Sequence, residues 1–215
     1  EAGKRLAHVH QELEAMIAPG ISTWEIDAKG EKLIRDCGCI PNFLHYNGYP
    51  ASICVSVNDE VVHGIPRKDR YLKEGDIVSL DAGLIYKGYH SDAARTHAVG
   101  KVSTEAQKLM DVTKQSFFEG IKMAKEGQHL HDISRAIEEY VTPYGYGIVR
   151  DLVGHGIGTA LHEDPQIPNY AQKRRGVRLQ AGMTLAIEPM INAGTWQVRF
   201  LRDGWTVVTK EGSLS

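Results

Sequence analysis

The stretch that decides the fold is Leu72–Gly100, LKEGDIVSLDAGLIYKGYHSDAARTHAVG. Its first half is largely apolar and is interrupted by Asp81, and its second half follows the dipeptide Lys87-Gly88 and carries Asp92. Two strand-like runs on either side of a short glycine-containing turn are typical of a β-hairpin. If Lys87-Gly88 is the two-residue loop, the numbers of facing residues sum to 175.

This register predicts that Asp81 and Asp92 lie on the same face of the hairpin. Asp81 then faces Ala94, and Asp92 is its diagonal neighbour, with Cβ atoms about 7–8 Å apart. The repulsion between two half-buried carboxylates would raise the pKa of one of them unless a cation lay between them, so the pair favours a divalent metal site. The alternative is two solvent-exposed aspartates, and a one-residue bulge would place them on opposite faces.

The composition indicates an ordinary globular protein. The 215 residues are 42% hydrophobic and 24% charged, with a net charge of −2, which gives no electrostatic signal for nucleic acid or an anionic membrane surface. No apolar run approaches the roughly 18 residues that a membrane-spanning helix needs.

The cysteines and the chain ends suggest a cytoplasmic protein and a shortened chain. Cys37, Cys39 and Cys54 cannot all pair, and C-G-C lacks the spacing of a zinc site, so we expect reduced thiols. The sequence begins without Met, inside a helical pattern, and shows no signal peptide. We expect that it is cut at both ends.

Two similar halves follow each other along the chain. Helical periodicity and end signals predict helices over residues 6–17, 22–38, 104–124 and a segment before Gly145, while residues 53–57 and 61–62 read as strands. Several features of the halves match at an offset of 107: Gly20 with Gly127, Ile26 with Ile133, Gly38 with Gly145, Leu72-Gly75 with Leu179-Gly182, and Asp81 with Glu188.

This repeat predicts a single α+β domain with pseudo-twofold symmetry, a central antiparallel sheet and outer helices, in which residues 1–100 and 101–215 are the halves. Coincidence is the alternative, because the matches are few and several are glycines.

Three residues of the second half complete a candidate metal site. His155 lies between glycines in GHGIG, which does not have the spacing of a phosphate loop. His162 follows in LHEDP, and Glu188 interrupts an apolar run, where an unpaired charge would be costly. With Asp81 and Asp92, His155 and Glu188 give three carboxylates and one imidazole. This set suits Mn, Fe(II), Co or Zn, and two ions about 3.5–4 Å apart could support amide hydrolysis.

Four segments together resemble the methionine aminopeptidase family. They are NGYPASICVSVNDEVVHGIP (47–66), DAG…SD (81–92), GHGIG…HEDP (154–165) and IEP (187–189). His155 and Glu188 are 33 positions apart, which leaves no room for the insertion of the type 2 enzymes, so the likeness is to the short, bacterial-like type 1 form.

The resemblance implies the pita-bread (creatinase/aminopeptidase) fold and removal of the initiator methionine from nascent proteins with a small second residue. It implies that Asp81, Asp92, His155 and Glu188 bind two divalent metal ions, bridged by Asp92, and that a metal-bound hydroxide attacks the first peptide bond. Glu188 would transfer the proton, His162 would stabilise the tetrahedral intermediate, and His63 would contact substrate. The implied methionine pocket contains Phe43, Tyr46, Tyr49, Cys54, Leu161 and Trp205.

The family also has a fifth ligand, a bridging glutamate, which we expect just beyond Ser215. Two alternative functions stay open. One is a prolidase or aminopeptidase P-like metallopeptidase, although the 47–66 segment argues against it. The other is a pita-bread binding module without catalysis. A monomer is expected, and the metal in the cell and contact with the ribosome are left open by the sequence.

Overall fold

The computed structural model describes residues 1–215, and its helices follow the predicted order. They are α1 (Ala2–Glu14), α2 (Thr23–Asp36), α3 (Thr104–Ile121) and α4 (Leu130–Val141). The four predicted helices are confirmed, although α1 ends at Glu14 rather than Ile17. None of them combines the length and the apolarity that crossing a bilayer requires.

The chain also contains twelve strands, of two to ten residues each. In chain order they are β1 (Ile40–Pro41), β2 (Ile53–Val57), β3 (Glu60–Val62), β4 (Ile77–Tyr86), β5 (Tyr89–Ala98), β6 (Gly147–Ile148), β7 (Gly154–Gly156), β8 (Glu163–Ile167), β9 (Leu185–Ala186), β10 (Ile191–Asn192), β11 (Val198–Phe200) and β12 (Val207–Thr209). β4 pairs with β1, β2 and β5, and β7 pairs with β8 and β9. All these pairings are antiparallel.

The β4–β5 hairpin has the predicted register. Asp81 pairs with Ala94 and Asp92 pairs with Gly83 without a bulge. Lys87 and Gly88 have φ values of 51° and 81°, and a two-residue loop with both φ angles positive matches the right-handed twist of the strands. Because side chains alternate along a strand, Asp81 and Asp92 share one face.

The contacts of the two halves repeat at the predicted offset. The Gly20 N–H donates to the Leu72 carbonyl oxygen at 2.8 Å, and the Gly127 N–H donates to that of Leu179 at 3.0 Å. The glycines involved have φ values of 92° and 87°, which favour glycine. The same offset relates two isolated bridges, Ser22 with Tyr71 and His129 with Arg178. It also relates two strand pairs, β1 with β4 and β6 with β10. The predicted pseudo-symmetry is confirmed.

Each pair of helices covers its own apolar core. Leu6, Val9 and Leu13 of α1 pack with β2 and β4 in one buried cluster. A second cluster joins Leu109 of α3 and Ile133 of α4 to β6 and β10. The helices therefore lie outside, and the strands that carry the candidate site residues lie between them.

Candidate metal centre

Four side chains from the two halves come together between the strands. Asp81 is on β4, Asp92 is on β5, His155 is on β7, and Glu188 lies two residues after the end of β9. The His155 Nε2 atom lies 3.2 Å from Glu188 Oε1 and 3.8 Å from Asp92 Oδ2. β7 pairs His155 with Ala186, so the strand that holds the imidazole also positions the start of the Glu188 segment. The four predicted ligands therefore form one cluster.

Burial makes the negative charges of this cluster costly. Burial raises the pKa of Asp81 well above its usual range, and the negative charges of Asp92 and Glu188 add to the effect. Burial, and then the Glu188 charge, raise the pKa of Asp92 to about 7. Burial alone would lower the pKa of His155, but the Glu188 carboxylate and the Gly156 carbonyl oxygen outweigh it and raise that pKa. A cation would relieve the repulsion among the carboxylates.

The residues present fit a divalent cation. Asp81 Oδ1 is buried and has no hydrogen-bond partner, and Glu188 Oε1 is buried with only the His155 imidazole nearby, which is costly for carboxylate oxygens unless a cation pairs with them. Two ligands that each lie about 2.1 Å from one ion are roughly 3–3.5 Å apart, close to the separation of His155 and Glu188. No three acidic, histidine or cysteine side chains already have the full geometry of a metal site, so binding requires these side chains to adjust.

Two further histidines lie beside the cluster. The rings of His162 and His155 are 4.2 Å apart between centroids. His63 lies 6.2 Å from the Trp205 ring, and its φ of 58° is uncommon for a residue with a bulky side chain. Burial lowers the pKa of both His63 and His162, which favours neutral rings at pH 7. Neutral imidazole can donate or accept a hydrogen bond.

The chain matches the model of metallopeptidase family M24 over residues 1–211. It belongs to this family. It is 52% identical over 215 residues to "Methionine aminopeptidase" of Clostridium acetobutylicum, covering 100% of this chain and 86% of the relative. It is also 52% identical to "Methionine aminopeptidase 1" of Bacillus subtilis, covering 99% and 85%.

The solved structures agree with this membership. A methionine aminopeptidase from Thermotoga maritima superposes with a TM-score of 0.97 at 46% identity, over 99% of this chain and 86% of that one. An Xaa-Pro dipeptidase from Bacillus anthracis superposes at 0.75 and 26% identity, over 99% and 57%. The M24 chain described here therefore has the pita-bread fold, as the sequence predicted.

A buried apolar group lies next to the cluster of this M24 protein. Four predicted pocket residues, Phe43, Tyr49, Cys54 and Leu161, belong to one buried group, and Trp205 packs against it. The pairing of β2 with β4 places this group beside the predicted metal ligands, because Cys54 of β2 pairs with Asp81 of β4. Burial raises the pKa of the Cys54 thiol well above its usual range, so it is a packing group and not a thiolate.

Three further apolar residues belong to this group or pack against it, and the sequence analysis did not select them. Ala51 and Ile157 are part of the buried group, and Ile65 packs against it. Ile65 lies within HGIP and Ile157 lies within GHGIG, and their place in these motifs is the signal that could have identified them. Tyr46 lies outside the group, is 37% exposed, and places its hydroxyl against His162.

Asn169 is a further residue that sequence analysis missed. It is fully buried, its Nδ2 donates to the Glu188 carbonyl oxygen at 2.7 Å, and its Oδ1 has no hydrogen-bond partner. No motif includes it, because its contact is made 19 residues away. It holds the backbone that carries Glu188.

We expect Asn169→Ala to weaken metal binding about 10–100-fold, as is typical when a group that orients a ligand is lost. It should also destabilise the fold by about 1–3 kcal/mol, because the buried Glu188 carbonyl oxygen loses its partner. Calorimetric titration with Mn²⁺ and thermal unfolding measure the two effects.

Asn192→Ala is the matched control for this prediction. Asn192 is also fully buried, donates to the Thr195 carbonyl oxygen at 2.8 Å and has an unpartnered Oδ1. It should lose stability and keep its metal affinity. Equal loss of affinity in both variants would contradict a specific role for Asn169.

The metal-free protein is expected to lose stability as the pH rises. The pKa of Asp92 is raised to about 7 in the folded state. Asp92 therefore contributes its full stabilisation of the fold below pH about 4, where it is protonated in both the folded and the unfolded protein. That stabilisation is lost as the pH rises through 7. The loss should be roughly 2–4 kcal/mol. The measurement is thermal unfolding of the chelator-treated parent and of chelator-treated Asp92→Asn between pH 4 and 8. The difference in stability between parent and variant at each pH gives the loss that is due to Asp92.

This difference separates the effect of Asp92 from the effects of other buried groups. His10 is one of them: its pKa is lowered to about 4, so its titration makes the fold more stable as the pH rises. Added Mn²⁺ should raise the Tm of the parent most at pH 8. Parallel profiles for parent and variant would show that the charge of Asp92 is not costly.

Proposed function

We propose that this M24 protein is a methionine aminopeptidase, which removes the initiator methionine from polypeptides with a small second residue by metal-dependent hydrolysis. The observation that carries the proposal is the meeting of Asp81, Asp92, His155 and Glu188 beside a buried apolar group. Relatives that are 52% identical along this chain bear the name methionine aminopeptidase.

We propose that the same four residues would hold two divalent metal ions. Bound metal polarises a carbonyl group and lowers the pKa of water, which is the activation that amide hydrolysis needs. Three carboxylates and one imidazole suit Mn, Fe(II), Co or Zn. The raised pKa values of Asp81 and Asp92 mean that binding of the metal must displace their protons.

The side chains around the cluster take separate roles in the reaction. Glu188 accepts the proton of the attacking water and passes it to the leaving amine; its side chain is 32% exposed, so water can reach it. His162 donates a hydrogen bond to the carbonyl oxygen as negative charge develops there. His63, near Trp205, contacts the substrate next to the scissile bond.

The apolar pocket receives the methionine side chain. Phe43, Tyr49, Cys54, Leu161 and Trp205 offer the aromatic and sulfur contacts that a thioether favours. The Tyr49 and Trp205 rings meet edge to face at 5.1 Å, which gives the pocket a rigid wall. We propose that the substrates are the N-termini of nascent chains. We also propose that the enzyme is a monomer that works in the cytoplasm near the ribosome. Its two halves together form one catalytic domain.

A peptide assay tests the proposal against the related Xaa-Pro peptidases. Chelator-treated protein is loaded with Mn²⁺ or Co²⁺ and incubated with Met-Ala-Ser, Leu-Ala-Ser and Ala-Pro. Release of methionine from the first peptide, slow release from the second and none from the third is expected. Cleavage of Ala-Pro alone would identify a prolidase, and no cleavage with either metal would favour a binding module.

A further inference from the structure

Tyr46 and His162 are in contact although 116 residues separate them in the chain. The Tyr46 hydroxyl lies 2.8 Å from His162 Nδ1, and the ring centroids are 5.4 Å apart. Tyr46 does not belong to the buried pocket group. The hydroxyl contact with His162, and not packing of the Tyr46 ring in the apolar group, therefore distinguishes Tyr46 from the other predicted pocket residues.

The backbone around Tyr46 is held in an unusual conformation. His45 and Asn47, on either side, have φ values of 67° and 48°, a region that non-glycine residues rarely occupy. The His45 N–H donates to the Tyr49 carbonyl oxygen at 2.8 Å, and the Tyr49 N–H donates to that of Tyr46 at 2.9 Å. Backbone strain of this kind persists where the surrounding structure fixes a side chain for a purpose.

His162 is held from its own side by Glu163. The Glu163 carboxylate accepts hydrogen bonds from the Ala160 N–H at 2.8 Å and from the Thr159 hydroxyl at 3.2 Å. These bonds close the turn that precedes His162, and the buried Leu161 side chain, 3% exposed, anchors that turn in the pocket. The contact with Tyr46 thus joins two fixed segments.

The protonation pattern of His162 depends on this contact. A neutral imidazole has one N–H, so Nε2 can donate to a substrate oxygen only if Nδ1 is an acceptor. A hydroxyl that donates to Nδ1 enforces this tautomer, whereas the reverse hydrogen bond would leave Nε2 as an acceptor that repels a developing negative charge.

We propose that Tyr46 is a positioning residue whose hydroxyl donates to His162 Nδ1 and thereby keeps the proton on Nε2, directed at the reacting carbonyl group. The inference rests on the role of His162 in the proposed function. It gives Tyr46 a task that the other pocket aromatics do not share.

The ¹⁵N NMR spectrum of the histidine side chains at pH 8 reads the tautomer directly and requires no catalysis. His162→Gln identifies the signals of His162. We expect the parent to show a protonated Nε2 and an unprotonated Nδ1, and Tyr46→Phe to shift both signals towards a mixture of tautomers. A protonated Nδ1 in the parent, or an unchanged spectrum in Tyr46→Phe, would overturn the proposal.

Tyr49→Phe is the matched control, because the Tyr49 hydroxyl donates to the Gly64 carbonyl oxygen at 2.9 Å and does not touch His162. It should leave the His162 signals where they are in the parent. An equal shift in both variants would mean that general disturbance of the pocket, and not the Tyr46 hydroxyl, controls the ring.

Kinetics provide the second readout. Tyr46→Phe should lower kcat for Met-Ala-Ser about tenfold with little change in KM, since it weakens one donor to the transition state, and it should have no further effect in a His162→Gln background. A change in KM alone, or an undiminished effect in that background, would show that Tyr46 only lines the pocket. If no peptide is cleaved by the parent, the proposed function fails, and the NMR result still decides the Tyr46–His162 relationship.

Discussion

Asp92→Asn is expected to lower aminopeptidase activity and Mn²⁺ affinity by more than about 100-fold. Loss of a group that merely orients a ligand costs about 10–100-fold, and Asp92 is proposed to bind metal directly, so its loss should cost more. Its Oδ2 lies 3.8 Å from His155 Nε2, within the cluster. Calorimetric titration with Mn²⁺ and turnover of Met-Ala-Ser measure the two losses.

The stability of Asp92→Asn separates ligand loss from misfolding. Because burial raises the pKa of Asp92 to about 7, the neutral amide should make the metal-free protein at least as stable as the parent at pH 8. Asp69→Asn, at a carboxylate that is 80% exposed, serves as the control and should resemble the parent in every assay. An inactive variant that is also less stable at pH 8 would point to a structural role instead.

Glu188→Gln is expected to reduce kcat for Met-Ala-Ser by about 10²–10⁴-fold, the range typical of removing a general base. The amide has nearly the same shape but cannot accept the proton of the attacking water. KM should change little, because the methionine pocket is made by other residues. Steady-state kinetics at saturating Mn²⁺, with metal content measured on the same samples, separate loss of proton transfer from loss of metal.

Glu105→Gln is the control for this variant, since Glu105 lies exposed in the first turn of α3. It should retain the activity of the parent. A decrease of less than tenfold in fully loaded Glu188→Gln would remove Glu188 from the proton-transfer step.

The hairpin and the repeat were predictable from the sequence because local rules determine them. The Lys87-Gly88 turn fixes the pairing of Asp81 with Ala94, since a two-residue loop leaves one register. Positive φ values at Gly20 and Gly127 favour glycine in both connections between paired helices, α1 to α2 and α3 to α4, so the offset between the halves is visible in the residues themselves.

The second half of the site was less predictable because its strand is interrupted. The region matching β4 is divided into β9 and β10, with Glu188 between them, and Pro189 cannot donate to a strand ladder. Glu188 consequently depends on a side chain, Asn169, to hold its carbonyl oxygen. Neither this contact nor the one between Tyr46 and His162 follows from spacing, because each joins segments that only the tertiary fold brings together.

The most direct test of the metal centre is an anomalous difference map from a crystal of the protein grown with Mn²⁺. We expect Mn²⁺ peaks within about 2.0–2.3 Å of carboxylate oxygens of Asp81, Asp92 and Glu188 and of His155 Nε2. Anomalous peaks confined to other parts of the molecule, with these four side chains in contact only with one another or with water, would contradict it.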